Sequence, residues 1–173
     1  KVFKEKSIMK IVTHCPHCFN SLKNEYADFG VELDVIHHSE LLERLAKEGT
    51  GGKKISGKTV YHDPCYLGRH NKIYDAPREV LKTTTKTESI HEAEQNRESG
   101  TCCGAGGSRF LLEENTGTRM SHHRLDELMT TNPETIAVSC PYCVLMLEDA
   151  VKARGLQEKV KVRDIGEMIK EAD

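Results

Sequence analysis

Residues 135–147 read Thr-Ile-Ala-Val-Ser-Cys-Pro-Tyr-Cys-Val-Leu-Met-Leu. An apolar run ends at Ser139, and a proline opens the helical pattern that follows, which predicts a strand leading directly into a helix. Cys140 and Cys143 are then placed at the carboxyl end of the strand, where ligands of open α/β sheets collect. The partial positive charge of a helix N-terminus also favours thiolate over thiol. The stretch predicts a thiolate site at the edge of a parallel sheet.

The same pattern occurs earlier in the chain, at an offset of 125 residues, around Cys15-Pro16-His17-Cys18. The matched pairs are Ile11 and Ile136, Cys15 and Cys140, Pro16 and Pro141, Cys18 and Cys143, Leu22 and Leu147, Gly30 and Gly155, Val35 and Val160, and the expected helix N-caps Ser39 and Asp164. Each copy reads strand, C-P-x-C, helix, strand, helix, which indicates an internal duplication. We expect an α/β fold of two pseudo-symmetric, Rossmann-like lobes with parallel sheets.

Hydrophobic periodicity predicts the individual elements. The predicted strands are 8–13, 32–36, 58–62, 87–91, 135–139 and 159–163, and the predicted helices are 18–29, 39–48, 76–81, 119–130, 143–154 and 164–171. Gly30 and Gly155 stand where helices should end. The segment 49–57, rich in Gly, Lys and Ser, is the expected boundary between the lobes, and it divides the chain into 1–52 and 53–173.

Five of the seven cysteines share a regular spacing. Thirty-six residues separate Cys65 from Cys102, and thirty-six again separate Cys103 from Cys140, which is followed by Cys143. Thiolates grouped in this way are ligands for a soft metal, either zinc or an iron–sulfur cluster. A single tetrahedral zinc uses four ligands, and neighbouring cysteines such as Cys102 and Cys103 suit it poorly. The pattern favours an iron–sulfur site, with structural zinc as the alternative.

Residues beside these cysteines carry further expectations. His62 stands three residues before Cys65 and is a candidate proton relay, although a hydrogen-bonded histidine at a strand end is the commoner role. Gly104 opens a glycine-rich turn that would let backbone N–H groups approach inorganic sulfur. Arg69, Arg78 and Arg97 punctuate the same segments. Their candidate roles are to bind an anionic substrate, to offset cluster charge, to pair helices or to form solvated surface. The glycine-rich turn lacks the lysine of a phosphate-binding loop, which disfavours a nucleotide site.

The Cys15/Cys18 motif has a second interpretation. Strand, C-P-x-C and helix are also the local context of the dithiol in thioredoxin-like oxidoreductases. That interpretation would leave Cys65, Cys102 and Cys103 without a purpose.

Composition excludes several classes of protein. The 173 residues carry a net charge of −2, so no basic field exists to attract nucleic acid or anionic lipid. No apolar run approaches the roughly 20 residues of a membrane-spanning helix, and the first ten residues do not resemble a signal peptide. We therefore expect no membrane insertion by this segment and a cytoplasmic location. Because the chain begins without methionine, we expect it to be part of a longer protein.

The sequence resembles a known family, that of the CCG-type cysteine-rich domain found in heterodisulfide reductase and in FadF-like iron–sulfur oxidoreductases. The motifs that carry the resemblance are Cys65, Cys102-Cys103-Gly104, Cys140-Pro141-Tyr142-Cys143, Tyr61 to His70 and Ala76-Pro77-Arg78. The resemblance implies that Cys65, Cys102, Cys103, Cys140 and Cys143 hold a [4Fe–4S] cluster, with Gly104 beside it; in heterodisulfide reductase this cluster is non-cubane. It also implies that 53–173 is a complete repeat, and that 1–52 is the second half of a truncated one.

Under the same resemblance, Cys15 and Cys18 correspond to the closing pair of the first repeat, and they would hold zinc or a second cluster in the full-length parent. The implied function is electron transfer from a flavoprotein or another iron–sulfur protein to a quinone or a disulfide. The parent could then be peripheral to the inner membrane or anchored in it. The alternative outside the enzymes is a structural zinc- or metal-binding docking module without turnover.

Overall fold

In a computed structural model, the structure describes residues 2–48, 54–112 and 117–172. Its first lobe contains the strands β1 (Lys10–Thr13) and β2 (Asp34–His37), which pair in parallel. Its helices are α1 (Val2–Glu5), α2 (Pro16–Asn20) and α3 (His38–Lys47). The expected boundary of the lobes at 52/53 falls within residues 49–53, outside the described residues.

The second lobe is a four-stranded parallel sheet in the order β4-β3-β5-β6. Its strands are β3 (Thr59–Tyr61), β4 (Ile90–His91), β5 (Thr135–Val138) and β6 (Lys161–Asp164). Its helices are α4 (Cys65–Gly68), α5 (Asp75–Thr84), α6 (Met120–Met129), α7 (Pro141–Ala153) and α8 (Ile165–Ala172). Short 3-10 turns cover Thr87–Ser89, Arg97–Ser99 and Gly106–Leu111. The α/β class and the parallel sheets predicted from sequence are confirmed.

Apolar side chains cover both faces of the larger sheet. On one face Ile136 and Val138 pack with Leu125 of α6 and Leu147 of α7. On the other face Tyr61 and Ala137 pack with Val80 and Leu81 of α5 and with Ile165 and Met168 of α8. Leu42 of α3 packs against this second group, so the first lobe shares the core of the second. Burial on both faces is what the nearly continuous apolar run of β5 demands.

Three predicted elements differ from the structure. The predicted helix 18–29 is broken into α2, a π-helical turn at Ser21–Glu25 and a 3-10 turn at Tyr26–Phe29. The predicted strand 87–91 is a 3-10 turn followed by the two-residue strand β4. The predicted N-cap Ser39 is wrong: His37 caps α3, because its ring nitrogen accepts the Ser39 N–H while Glu40 accepts the His37 N–H. Gly30 and Gly155 do end helical segments, in left-handed conformations.

Within the described residues, no helix combines the length and the apolar character that crossing a bilayer would require.

Candidate metal centre

The elements bring three separated cysteine segments to one edge of the larger sheet. β3 and β5 are neighbouring parallel strands, with Tyr61 opposite Ala137, and the polypeptide leaves both strands at the same edge of the sheet. β3 continues through His62 to Cys65, which begins α4. β5 continues to Cys140, which lies at the N-terminus of α7.

Close sulfur contacts join these segments to the Cys102-Cys103 pair. The Sγ atoms of Cys65 and Cys102 lie 3.8 Å apart, and those of Cys103 and Cys143 lie 3.3 Å apart. Cys140 and Cys143 stand three residues apart at the start of α7. All five are free thiols, as are Cys15 and Cys18. The structure therefore brings together the five cysteines whose spacing marked them as a group.

Two of the five cysteines have a lowered pKa, which favours the thiolate, and the other three have a raised pKa, which favours the thiol. Hydrogen bonds from Cys103 and Cys65 lower the pKa of Cys102, and a hydrogen bond from Cys143 lowers the pKa of Cys140 to about 5. The partners of these thiolates show the opposite shift. Donation to Cys102 raises the pKa of Cys65 and brings that of Cys103 to about 12, while the contacts with Cys103 and Cys140 raise the pKa of Cys143. Metal binding must therefore displace protons, since ligand cysteines are thiolates.

Gly104 supports this cluster through its backbone. Its N–H donates to the Sγ of Cys102 over 3.3 Å, and its φ of 90° lies in the region that favours glycine. A Cβ atom at this position would lie 3.0 Å from the Cβ of Met120. The glycine therefore allows both the turn and its close packing against α6.

A buried ion pair holds the loop between β3 and Cys65. The carboxylate of Asp63 accepts hydrogen bonds from both terminal nitrogens of Arg78, at 2.8 and 2.9 Å, and from the backbone N–H of Arg97 at 2.8 Å. Arg78 also donates to Glu92 over 2.6 Å, and its guanidinium lies over the ring of Tyr61. Burial opposes the charge of Arg78, but the hydrogen bonds to Asp63 and Glu92 outweigh it and raise the pKa. Of the roles expected for Arg78, the structure shows pairing within the protein.

His62 is fully buried beside the cysteines. One of its ring nitrogens and the Sγ atoms of Cys103 and Cys143 all lie within 4.8 Å of one another. Burial, aided by the charge of Arg124, lowers the pKa of His62 to about 3. Within the part of the chain that the structure describes, His62 Nε2 and one terminal nitrogen of Arg124 are buried without a hydrogen-bond partner. The donor set fits an iron–sulfur cluster, because soft thiolates bind its iron and its sulfides accept hydrogen bonds.

Cys15 and Cys18 lie outside this group and approach it through His17. Interaction with the thiolates of Cys140 and then of Cys15 raises the pKa of His17 to about 9. Its ring also packs against Tyr66 at 4.0 Å and against Tyr142 at 5.5 Å between ring centroids. The two C-P-x-C motifs therefore meet at His17, a contact that no sequence pattern indicated.

A pocket of about 220 Å³ opens beside the cluster. Aromatic rings of His17, Phe110 and Tyr142 form one part of its wall, and the backbone of 105–108 forms the rest. Because Tyr142 stands between Cys140 and Cys143, and 105–108 follows Cys103, the pocket borders two of the cysteine segments.

Three known proteins that are similar to this chain are, by name, oxidoreductases or a subunit of a reductase. The chain is 43% identical over 96% of its length to the probable iron-sulfur-binding oxidoreductase FadF of Bacillus subtilis, and 41% identical over 96% to the EtfAB:quinone oxidoreductase of Syntrophomonas wolfei. It spans 24% of the length of each of these relatives. It is also 32% identical over 99% of its length to one of the subunits of the dihydromethanophenazine:CoB–CoM heterodisulfide reductase of Methanosarcina barkeri, and it covers 42% of that polypeptide.

Among solved structures, glutamate racemase RacE1 from Bacillus anthracis overlays with a TM-score of 0.41 and 16% identity, over 98% of this chain and 58% of that one, which is too weak a likeness to carry an argument. The sequence profile of the CCG cysteine-rich domain matches residues 59–148, which is more than half of the chain and includes all five clustered cysteines. The chain belongs to the CCG cysteine-rich domain family.

Proposed function

We propose that this chain is the electron-transfer part of an iron–sulfur oxidoreductase, and that Cys65, Cys102, Cys103, Cys140 and Cys143 hold its [4Fe–4S] cluster. The observation that carries the proposal is the convergence of these thiols from three segments, with sulfur contacts of 3.8 and 3.3 Å. The resemblance to heterodisulfide reductase, together with a fifth thiolate beyond the usual four, supports a non-cubane form. Such a cluster supplies one-electron transfer when bound.

The residues of this chain have separate tasks in that role. The lowered pKa values of Cys102 and Cys140 favour their thiolates, which are the form that binds iron. The N-terminus of α7 and the N–H of Gly104 place partial positive charge beside the sulfurs and offset their negative charge. The Asp63–Arg78 pair keeps the Cys65 loop in place. The sequence predicts a proton relay at His62, and the hydrogen bond from Arg124 to its Nδ1 is the observation that bears on that prediction.

The pocket beside Tyr142 and Phe110 is the proposed point of entry for an electron acceptor. Relatives named for quinone oxidation or reduction and for heterodisulfide reduction support a quinone or a disulfide as the acceptor. By the same reasoning a flavoprotein or another iron–sulfur protein would be the donor. A relative named as a probable membrane-anchored ferredoxin supports a parent protein that is attached to a membrane. We propose that the present segment lies on the cytoplasmic side.

Cys15 and Cys18 belong to a second proposed site, in the half-repeat of residues 1–52. Cys15 is buried and Cys18 is exposed, so the pair can meet ligands from further protein while remaining next to His17. We propose zinc or a second cluster there in the full-length parent, completed by cysteines that this sequence does not contain.

Anaerobic reconstitution tests the main proposal. Iron and acid-labile sulfide should bind together, and electron paramagnetic resonance should detect a paramagnetic state after oxidation or reduction. Cys102→Ser should abolish both, whereas Cys18→Ser serves as the matched control and should retain them. Uptake of zinc alone, without any paramagnetic state, would support a docking module instead. Reversible dithiol chemistry at Cys15/Cys18 that survives in Cys102→Ser would support the thioredoxin-like alternative.

A further inference from the structure

We propose that His62 is a fixed hydrogen-bond donor to the cluster, and that Arg124 sets its tautomer. This inference rests on the proposed function. It assigns to His62 a role in setting the reduction potential, which differs from both metal ligation and proton relay.

The hydrogen bond from Arg124 determines which nitrogen of His62 carries the proton. Arg124 Nε lies 3.1 Å from His62 Nδ1, and both side chains are fully buried. A guanidinium has five N–H donors and no acceptor, and it does not lose its charge in proteins. Nδ1 must therefore present its lone pair to Arg124. In a neutral imidazole the proton is then on Nε2.

The protonated nitrogen lacks an acceptor within the protein. His62 Nε2 is buried and has no hydrogen-bond partner among the described residues, while the Sγ atoms of Cys103 and Cys143 lie in the same 4.8 Å group as one of the ring nitrogens. A buried donor without an acceptor destabilises the protein. A sulfur of the bound cluster would remove that cost, because cluster sulfurs accept hydrogen bonds.

The same geometry argues against the two other roles. A metal ligand needs a lone pair on Nε2, but the proton occupies that position. A relay needs Nδ1 to accept a proton when Nε2 releases one, but Nδ1 is already engaged by Arg124.

Arg124 is a positioning residue, and it is itself held in place. One terminal nitrogen donates to Glu127 over 2.7 Å and to the carbonyl oxygen of Gln95 over 2.8 Å. Glu127 also accepts a hydrogen bond from the hydroxyl of Thr101, which precedes Cys102. The orientation of His62 is therefore coupled to the segment that carries the Cys102-Cys103 pair.

A donor to a cluster sulfur stabilises the reduced form, which carries more negative charge, and so raises the reduction potential. Replacing His62 alone by phenylalanine would leave Arg124 Nε buried and unpaired, so the test uses the double variant His62→Phe/Arg124→Met, which removes both partners of this bond. It also removes the donor to Glu127 and Gln95, but Glu127 still accepts a hydrogen bond from Thr101. His62→Gln keeps an acceptor and a donor in one amide. The exchange His91→Phe at a half-buried histidine of β4 is the matched control.

The experiment measures the midpoint potential of the reconstituted full chain and the electron–nuclear double resonance of chain labelled with ¹⁵N-histidine, in H₂O and in D₂O. We expect wild type to show one weakly coupled histidine nitrogen with an exchangeable proton. The double variant should lose that signal, and its reduction equilibrium should weaken about tenfold, which is about 59 mV for one electron. His62→Gln and His91→Phe should keep the wild-type potential within a small shift.

An unchanged potential in a fully loaded double variant would overturn the inference, and so would the strong nitrogen coupling of a direct iron ligand. If the double variant does not load, the labelled wild type and His62→Gln still decide the matter through the exchangeable proton and the potential. Failure of wild type to take up iron and sulfide would instead overturn the proposed function, and this inference with it. The iron assay therefore separates the two failures.

Discussion

Arg78 and Asp63 form a paired hydrogen bond between two almost completely buried side chains, over 2.8 and 2.9 Å. Asp63 lies two residues before Cys65, while Arg78 comes from α5 on the far side of the loop. The pair therefore ties the first cysteine of the cluster to the helical layer that covers the sheet.

We expect Arg78→Leu to lower the free energy of unfolding by about 3–5 kcal/mol, because it leaves the Asp63 carboxylate buried without a counter-charge. Urea denaturation of the metal-free chain measures this. Lys82→Ala is the control on the same helix, since it removes the exposed pair with Glu79 and should cost less than about 1 kcal/mol. Equal costs for the two variants would show that the buried pair has no special role.

Gly104→Ala should destabilise the chain by about 1–3 kcal/mol, because the residue is in a left-handed conformation and its new methyl group would meet Met120. We also expect a lower cluster content after reconstitution, since the turn orients Cys102 and Cys103. Gly106→Ala provides the comparison: nothing lies within 4 Å of its Cβ position, so it should be neutral or stabilising by up to about 1 kcal/mol. Thermal unfolding and iron content measure both effects. A Gly104→Ala chain that matches Gly106→Ala would contradict this account.

His37 gives the metal-free chain a defined sensitivity to acid. Burial, aided by the nearby His38, lowers the pKa of His37 to about 3, compared with 6.5 for a free histidine. The unfolded chain therefore binds a proton below pH 6.5 that the folded chain does not bind until about pH 3. Its contribution to stability is complete above pH 6.5, and it is lost as the pH falls toward 3, by about 1.4 kcal/mol per pH unit.

His37→Asn tests this while preserving a side chain suited to the N-cap position of α3. Urea denaturation between pH 6.5 and pH 3 should give a shallower loss of stability in the variant than in wild type, while the contribution of buried His62 is common to both. Parallel curves for the two proteins would mean that His37 does not carry this part of the acid sensitivity.

The duplication shows how far sequence reasoning extends. The offset of 125 holds from β1 to Gly30, since β1 at Lys10–Thr13 corresponds to β5 at Thr135–Val138. Beyond the glycine the offset becomes 127, because the second copy has two more residues before its second strand. Asp164 is therefore equivalent to His37 and not to Ser39. Each caps its helix, with Glu40 or Glu167 accepting the N–H of the cap.

The identity of Val35 with Val160 is accordingly not a structural equivalence. A fixed offset cannot reveal a two-residue insertion within a segment as variable as a helix–strand loop. The break in the predicted helix 18–29 was also hidden, because Asn20 and Ser21 both donate to Glu25 across the π-helical turn, and no periodicity of apolar residues records such side-chain bonds.

For the site, the regular spacing of the cysteines is sufficient to predict that the five thiols lie together. The contacts of His62 with Arg124 and of His17 with Tyr142 are not predictable from the sequence. Each contact joins residues that are far apart in the chain, and the motifs that contain them do not record which partner a histidine meets. The packing of α2 and α6 creates both contacts.

The central claim is that Cys65, although distant in sequence from the other four cysteines, shares one cluster with them. Iron and acid-labile sulfide per chain, measured after anaerobic reconstitution of wild type, Cys65→Ala and Cys18→Ala, test it most directly. We expect about four iron atoms with matching sulfide in wild type and in Cys18→Ala, and loss of most of both in Cys65→Ala. A Cys65→Ala chain with the full iron and sulfide content and an unaltered paramagnetic resonance spectrum would contradict the claim.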